Sequence, residues 1–594
     1  MALLDWCIII AYFILSIGIG VYFSKRAGKS TSEFFLSGRN LPWWLAGTSM
    51  VATTFAADTP LAVTELVATN GIAGNWLWWN MCIGGMLTVF FFARLWRRAH
   101  IMTDMEFIEL RYSGKPAAFL RGFRAIYLGL FMNCIIMGWV NVAMGSILRG
   151  MFGIDETHVI IYVSIAMLFT AAYSALSGLW GVAVTDAYQF VLAMIGCIVL
   201  AIIVLNDPQV GGLQGLQAKL SPNTFNLLPT IGSASDAVSG VLTLSAGAFF
   251  AYIGIQWWSS WYPGAEPGGG GYIAQRMMSA KNEKHSLFAT LFFQIAHYCI
   301  RPWPWILVAL ASLVLYPNLS LTDKKIGYVQ AMNDFLPVGL KGLLLAAFFA
   351  AYMSTIATHL NWGTSYLVHD FWRRFVDRSA SEKKSVRISR ITTLLLMTVS
   401  IVVTIFISTI AGAWQFIIEC GAGLGFVLIA RWYWWRVNAW SEIIATVTPI
   451  LCYAAITIYN ASASASQQLT FPTTMFIIVP STTLAWIIAT FATKPTDESK
   501  LIEFYRRIRP GGFLWRPIQS KLPGIKSDMN MIRLAVDWIC GVICVYAVLF
   551  ASGSLFFGTL TETIVYAGIA LLMAAILWID LSRQNWKEGD ASVF

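Results

Sequence analysis

The chain has 594 residues, of which 57% are hydrophobic and only 12% are charged. That charged share is about half of what an ordinary soluble domain carries, which excludes a water-facing surface for most of the chain. The formal net charge of +10 does not point to a nucleic-acid partner, because the cations fall in alternate loops instead of forming one patch.

Apolar runs long enough to cross a hydrocarbon core of roughly 30 Å as a helix recur from end to end. In chain order they predict about fifteen spans. The first eight are Leu4–Phe23, Trp43–Ala68, Gly74–Leu95, Arg121–Leu148, Val159–Leu176, Val182–Leu205, Val241–Trp261 and Leu287–Leu315. The remaining seven are Leu336–Val368, Ile391–Ile410, Ala413–Ala430, Ile443–Tyr459, Thr473–Phe491, Ile532–Phe550 and Thr561–Ile579. No basic residue precedes the first run and it is too long for a signal core, so it is read as a helix. The two longest polar stretches, 206–240 and 494–531, read as loops, and the chain as one membrane domain. The nine cysteines lie singly, in no metal-like or disulfide-like pattern.

Lys25, Arg26 and Lys29 follow the first span, Arg97 and Arg98 the third, and Lys281 and Lys284 the seventh. Arg373, Arg374, Lys383 and Lys384 follow the ninth, and Arg506, Arg507 and Arg509 the thirteenth. The positive-inside rule makes these loops cytoplasmic, with the N-terminus outside and the C-terminus inside, in a multi-pass protein of the cell membrane.

Two spans are interrupted. The second contains Thr53-Thr54-Phe55-Ala56-Ala57-Asp58-Thr59-Pro60, and the seventh runs into Tyr262-Pro263-Gly264-Ala265-Glu266-Pro267 and four glycines. Five spans apart, they cross in opposite directions, as expected of two inverted repeats. Broken helices at matching places in inverted halves mark the central site of a secondary transporter, although Pro and Gly also merely kink helices.

On the ninth span Ala351, Ser354, Thr355 and Thr358 share one face. That face offers oxygens to a hard cation such as Na⁺, especially beside carbonyls freed by a broken neighbour. Hydroxyls in spans also serve helix packing, so the pattern alone is weak. Asp58, Glu65, Asp186 and Glu419 are ionisable groups within spans, each a site candidate because such groups are costly in lipid. Thr59, Gln256, Trp257 and Trp258 flank the two breaks; together with Asp58 and Glu419 they are the solute-binding candidates. Polar edges beside a flat indole suit a sugar or polyol.

The ninth span, AAFFAAYMSTIATHLNWGTSYLVHD, resembles the eighth core helix of the sodium:solute symporter family, which has the LeuT-like inverted-repeat fold. Five further blocks are similar to that family in order: STSEFFLSGRNLPWWLAGTSMVATTFAADT, MTDMEFIELRYS, GLWGVAVTDAYQF, AQRMMSAKNEKHS and ARWYWWRVNAWSEI. The resemblance implies an all-α integral membrane protein with two inverted five-helix repeats, at 43–206 and 240–436, whose first and sixth core helices are broken. Residues 1–42 then form an extra helix and loop, and 441–594 additional helices. It implies a Na⁺ site made by the carbonyls of Ala52, Phe55 and Ala351 with the hydroxyls of Ser354 and Thr355. A second Na⁺, found in some relatives, would use Asp186 and Thr358, but Ala357 stands where those relatives carry a hydroxyl. It also implies that the protein is no enzyme: it imports a small polar solute with Na⁺ by alternating access, working as a monomer. A sugar or polyol is the first expectation for that solute. Ile418 and the Trp78–Asn80 region depart from the family's sugar contacts.

Rival readings are an H⁺-coupled or an amino-acid or carboxylate carrier of the same fold, with His297 and His359 as relays in the H⁺-coupled case. More distant are a channel and a membrane-embedded acyltransferase built on His359 with Asn361 or Asp370. A channel needs repeated rings, and an acyltransferase needs an oriented nucleophile or base; neither is visible.

Overall fold

A computed structural model describes residues 1–232, 242–262, 271–320, 324–407, 410–464, 467–584 and 586. Thirteen of its helices are long and apolar enough to cross a membrane. They are α1 (Leu3–Ala27), α4 (Ile72–Arg98), α5 (Gly114–Phe152), α6 (Thr157–Ala175), α7 (Gly178–Leu205), α10 (Glu283–Leu315), α11 (Leu340–Val376), α12 (Glu382–Ile405), α13 (Phe416–Tyr433), α14 (Ala439–Ser462), α15 (Thr473–Ala492), α16 (Met531–Phe557) and α17 (Leu560–Ser582).

The two spans missing from that count are the two interrupted ones. The second span is split into α2 (Trp43–Thr53) and α3 (Asp58–Asn70), neither of which crosses alone. The seventh is split into α8, a helical run at 246–259, and α9 (Gly271–Ser279). Thus α9, expected to be part of a loop, supplies the second half of that crossing. Pro263 to Gly270, on which the expected second break rests, lie outside the described residues.

Several helices outrun their apolar stretches. α5 begins at Gly114 and carries Arg121 and Arg124; α11 ends at Val376 beyond Arg373 and Arg374. Their charged turns are paired with neighbouring carboxylates: Arg121 with Glu109 and Asp370, Arg124 with Glu442, Arg373 with Glu382 and Arg374 with Glu109. The stretch read as a loop at 494–531 contains the helix Glu498–Ile508, which buries Leu501, Phe504, Tyr505 and Ile508. Those positions are i, i+3, i+4 and i+7, one helix face in an otherwise charged segment. Gly178, at φ +57°, turns the chain between α6 and α7; a Cβ there would lie 2.9 Å from the Phe34 carbonyl oxygen.

Burial orders the helices from axis to rim. α11 is buried along most of its length, whereas α1 and α17 present Ile10, Ile14, Leu571, Leu572 and Trp578 outward. Surfaces of that kind are stable against acyl chains and not against water.

The five basic loops meet at one end of the bundle. Arg97 donates to the carbonyls of Ala280 and Lys281, and Arg98 to Glu283, Asp528 and the Ile508 carbonyl. Glu382 accepts from the Thr31 amide and pairs with Arg373 at 2.9 Å; Arg39 reaches the carbonyls of Met278 and Ile101. Nearby, the buried carboxylate of Glu442 is held by Arg124 at 2.6 Å, Arg431 at 3.3 Å and the Tyr112 hydroxyl at 2.6 Å.

Candidate functional site

Where α2 stops at Thr53 and α3 starts at Asp58, four residues leave the helix. The carbonyl end of one half-helix and the amide end of the next therefore face the same space, with opposite partial charges. Asp58 sits in the first turn of α3, where the amide end favours a carboxylate.

The hydroxyl face of α11 packs against this break. Thr355 Oγ1 lies 2.7 Å from the Thr53 carbonyl oxygen and 3.2 Å from that of Ala351, one turn earlier on α11. Ser354 Oγ donates instead to Asp186 Oδ1 of α7 at 2.6 Å. Ala52, Phe55, Ala351, Ser354 and Thr355 are all buried. The donors at this junction are carbonyls and hydroxyls, the chemistry a hard monovalent cation selects.

Asp186 and Thr358 lie one layer away with Arg276 of α9 between them. Arg276 Nη2 donates to Thr358 Oγ1 at 2.7 Å and stands 3.5 Å from Asp186 Oδ2; its Nε donates to Ser49 Oγ at 3.0 Å. Ser49 Oγ in turn donates to Asp186 Oδ2 at 2.5 Å.

The same junction, through Thr53 and Thr355, borders a cavity lined also by Thr54, Asp58 and Thr59, by Trp78 and Trp139, by Tyr272 and Tyr298, and by His297, Arg301 and His359. Arg301 is 2% exposed and donates through Nη1 to Thr54 Oγ1 at 2.8 Å. Its Nη2 lies 3.3 Å from His297 Nε2, and His297 Nδ1 lies 3.2 Å from Thr54 Oγ1. A guanidinium has only donors, so Nε2 accepts and the ring proton sits on Nδ1, donating to Thr54. That ring is committed at both nitrogens, which does not favour a proton relay there. Asp58 is 3% exposed, and its Oδ1 makes no hydrogen bond among the described residues.

The other solute candidates are not brought together with this cavity. Trp257 and Trp258 bond back to the carbonyls of Ile253 and Gly254 on their own helix and pack against Trp538 and Phe426. Gln256 is buried on the same helix, and Glu419 of α13 faces Thr474 of α15 at 3.5 Å. None of the four lines the cavity. The acyltransferase grouping is dispersed too: His359 Nδ1 is 2.6 Å from Asn133 Oδ1, Asn361 accepts from Gln275, and Asp370 pairs with Arg121 at 2.7 Å.

Between the second break and the basic end, Asp104 is buried and accepts from the hydroxyls of both Tyr262 and Tyr366. Burial pushes its carboxyl up to about 6, against the two tyrosine bonds that stabilise the ionised form. Asp104, Arg276 and Arg301 all escape a reading of the sequence. Arg301 sits inside an apolar span, and the rule applied to the acids, that an ionisable group in lipid is a site candidate, would have found it.

Comparison with known proteins places these features in a family. The sodium:solute symporter family matches residues 34–448. The sodium/glucose cotransporter of Vibrio parahaemolyticus is 24% identical over 480 residues, covering 76% of this chain and 84% of that protein. Sodium/glucose cotransporter 4 of Danio rerio is 26% identical over 431 residues, and sodium/myo-inositol cotransporter 2 of Oryctolagus cuniculus 24% identical over 430. Each match takes in 67% of this chain and about three fifths of the relative, 62% and 60%. Among solved structures, the substrate-bound outward-open state of a Na⁺-coupled sialic acid symporter superposes with a TM-score of 0.65 at 20% identity. That superposition covers 84% of this chain and 99% of that one, and it carries the LeuT-like fold. Two half-helices meeting a hydroxyl-bearing helix, inside a match that spans most of the chain, lead to one conclusion: the chain belongs to the sodium:solute symporter family.

Proposed function

We propose that this protein is a Na⁺-coupled symporter that imports a small polyhydroxylated solute, a sugar or polyol, across the cell membrane. The observation that carries the reading is the junction of Thr355 with the end of α2, adjoining a cavity that holds Asp58 and Arg301 among aromatic rings. Carboxylate and guanidinium are planar groups that take neighbouring hydroxyls two at a time, while Trp78, Trp139, Tyr272 and Tyr298 supply aromatic surface for the C–H side of a ring. The names of the relatives agree with this class of solute.

Na⁺ is held by the carbonyls of Ala52, Phe55 and Ala351 and the hydroxyls of Ser354 and Thr355, in the spaces between α2 and α11. Bound there, it draws the broken helix onto α11 and closes the solute cavity, so ion and solute each raise the affinity of the other by the same factor. The repeats are 43–206 and 240–436; the basic loops are cytoplasmic, the N-terminus is outside and the C-terminus inside. The unit of function in this reading is the monomer.

Uptake of a panel of labelled sugars, polyols, amino acids and carboxylates into proteoliposomes, with and without an inward Na⁺ gradient, tests the proposal. One polyhydroxylated solute should accumulate only with Na⁺, and Ser354→Ala should abolish that dependence. Uptake that follows pH, or ignores both ions, would overturn it.

A further inference from the structure

Many cations at the basic end are matched by an oxygen. Arg39 and Arg97 hold carbonyls, Arg98 holds Glu283 and Asp528, Arg373 holds Glu382, and Lys384 holds Asp377 at 2.6 Å. Three cations on α12 are different: among the described residues Lys383, Arg387 and Arg390 make no ion pair and no side-chain hydrogen bond. Lys383 and Arg387 are exposed, and Arg390 is half-buried, its Nε shut off from water without a partner. Their spacing of i, i+4 and i+7 puts all three on one face. That face continues beyond Arg390 into Ile391 and Leu394, both exposed. The opposite face is fixed inward by Val386, Leu396 and Thr393, whose Oγ1 lies 2.9 Å from Thr364 Oγ1 of α11.

As it stands the stripe is electrostatically unfavourable. Lys383 lies in the first turn of α12, just after the Ser381 cap, where the helix amides already carry partial positive charge. Cations four residues apart on one helix face also repel each other. The two carboxylates at hand, Asp377 and Glu382, are engaged by Lys384 and Arg373. An anion laid across the three cations removes both penalties, and the apolar surface beyond Arg390 identifies its kind.

We infer that this face of α12 docks an anionic phospholipid from the leaflet bordering the basic end, with its phosphate among Lys383, Arg387 and Arg390 and an acyl chain along Ile391 and Leu394. The helix changes from charged to apolar at Arg390–Ile391, the depth at which a headgroup meets hydrocarbon. Arginine and lysine stems lie along apolar surface there while their charged heads reach the phosphate layer. Clusters of this kind beside a membrane span are attracted to anionic headgroups. A zwitterionic headgroup brings a cation of its own, which the stripe repels, and a free anion makes no use of Ile391 and Leu394.

Native mass spectrometry of the purified full chain, titrated with phosphatidylglycerol or phosphatidylcholine, tests the inference. Wild type should prefer phosphatidylglycerol by about tenfold or more in apparent Kd, on the scale expected of three cations at a membrane surface. The triple variant Lys383→Gln, Arg387→Gln, Arg390→Gln should lose the preference. Lys494→Gln, Arg506→Gln, Arg516→Gln, which removes three other exposed cations of the basic end, should keep it. Equal affinity of wild type for the two lipids would overturn the inference, and decides alone if the α12 variant does not fold. A preference that survives in the α12 triple, or an equal loss in both triples, would overturn it in favour of diffuse charge. Displacement of phosphatidylglycerol by inorganic phosphate would assign the stripe to a soluble anion instead.

Discussion

Thr355 and Thr53 are 302 positions apart in the chain, yet the hydroxyl of the first lies 2.7 Å from the carbonyl oxygen of the second. An unbroken α2 would spend that carbonyl on its own next turn. The break frees it, and α11 is placed to use it.

Removing that hydroxyl should therefore weaken Na⁺ and leave the fold intact. For Thr355→Ala, the Na⁺ concentration giving half-maximal uptake should rise by about tenfold or more, the equivalent of about 1.4 kcal/mol, while Thr355→Ser stays near wild type. Na⁺ titrations of uptake, alongside size-exclusion profiles of the purified variants, check both halves. An unchanged Na⁺ requirement in Thr355→Ala would remove this residue from the ion site.

Arg301 should matter for the solute before the ion. Its two terminal nitrogens are spread over Thr54 and His297, a fork that a lysine ammonium does not reproduce. Arg301→Lys should raise the solute KM by about tenfold or more, on the scale of one charged hydrogen bond of about 1.5–3 kcal/mol, with the half-saturating Na⁺ at fixed saturating solute little changed. Equal losses for solute and ion would instead mean that Arg301 holds α2 in place and does not meet the solute.

The clasp on Asp104 gives a pH dependence whose sign follows from its surroundings. With Tyr262 and Tyr366 engaged, and with Asp370 and Arg431 the nearby charges, the carboxyl titrates at about 6. Released into water it would return to about 3.9. The engaged state then binds the proton more tightly, so engagement strengthens as pH falls from about 6 to about 4 and is flat above. Hydrogen–deuterium exchange in residues 99–105, corrected for intrinsic rates, should slow across that window in wild type. Asp104→Asn should abolish the trend, and Tyr366→Phe should raise exchange at every pH.

The crossings themselves were readable because lipid leaves a long apolar run little choice. The first interruption was readable too, from Asp58 and Pro60 inside a span, while Pro263 to Gly270, which predict the second, lie outside the described residues. What the sequence hid was mostly tertiary. Trp78, Trp139 and Tyr298 come from three separate helices, and nothing in a window around any one of them says that they face one cavity. Arg276 was hidden because its segment lies between two predicted spans and reads as loop, and Arg301 because hydropathy averages over a window, where one guanidinium among Trp303, Trp305 and Ile306 barely moves the mean. Proximity to the breaks suggested Trp257 and Trp258, but a tryptophan beside a break can satisfy its indole N–H on its own helix, as both do.

The knot of Arg98 with Glu283 and Asp528 has a practical side. Asp528 is 47% exposed on its side chain, and the pair fastens the loops after α4 and α15 to the start of α10. Mobile ions screen such a contact over a Debye length of about 8–10 Å at ordinary ionic strength. Sodium chloride is therefore two reagents at once for this protein: a transported partner at the centre, and a screen that slackens the fastening at the basic end. A titration with NaCl alone would fold the second effect into the apparent affinity of the first, whereas replacing Na⁺ by choline at constant ionic strength keeps the fastening fixed while the site is filled.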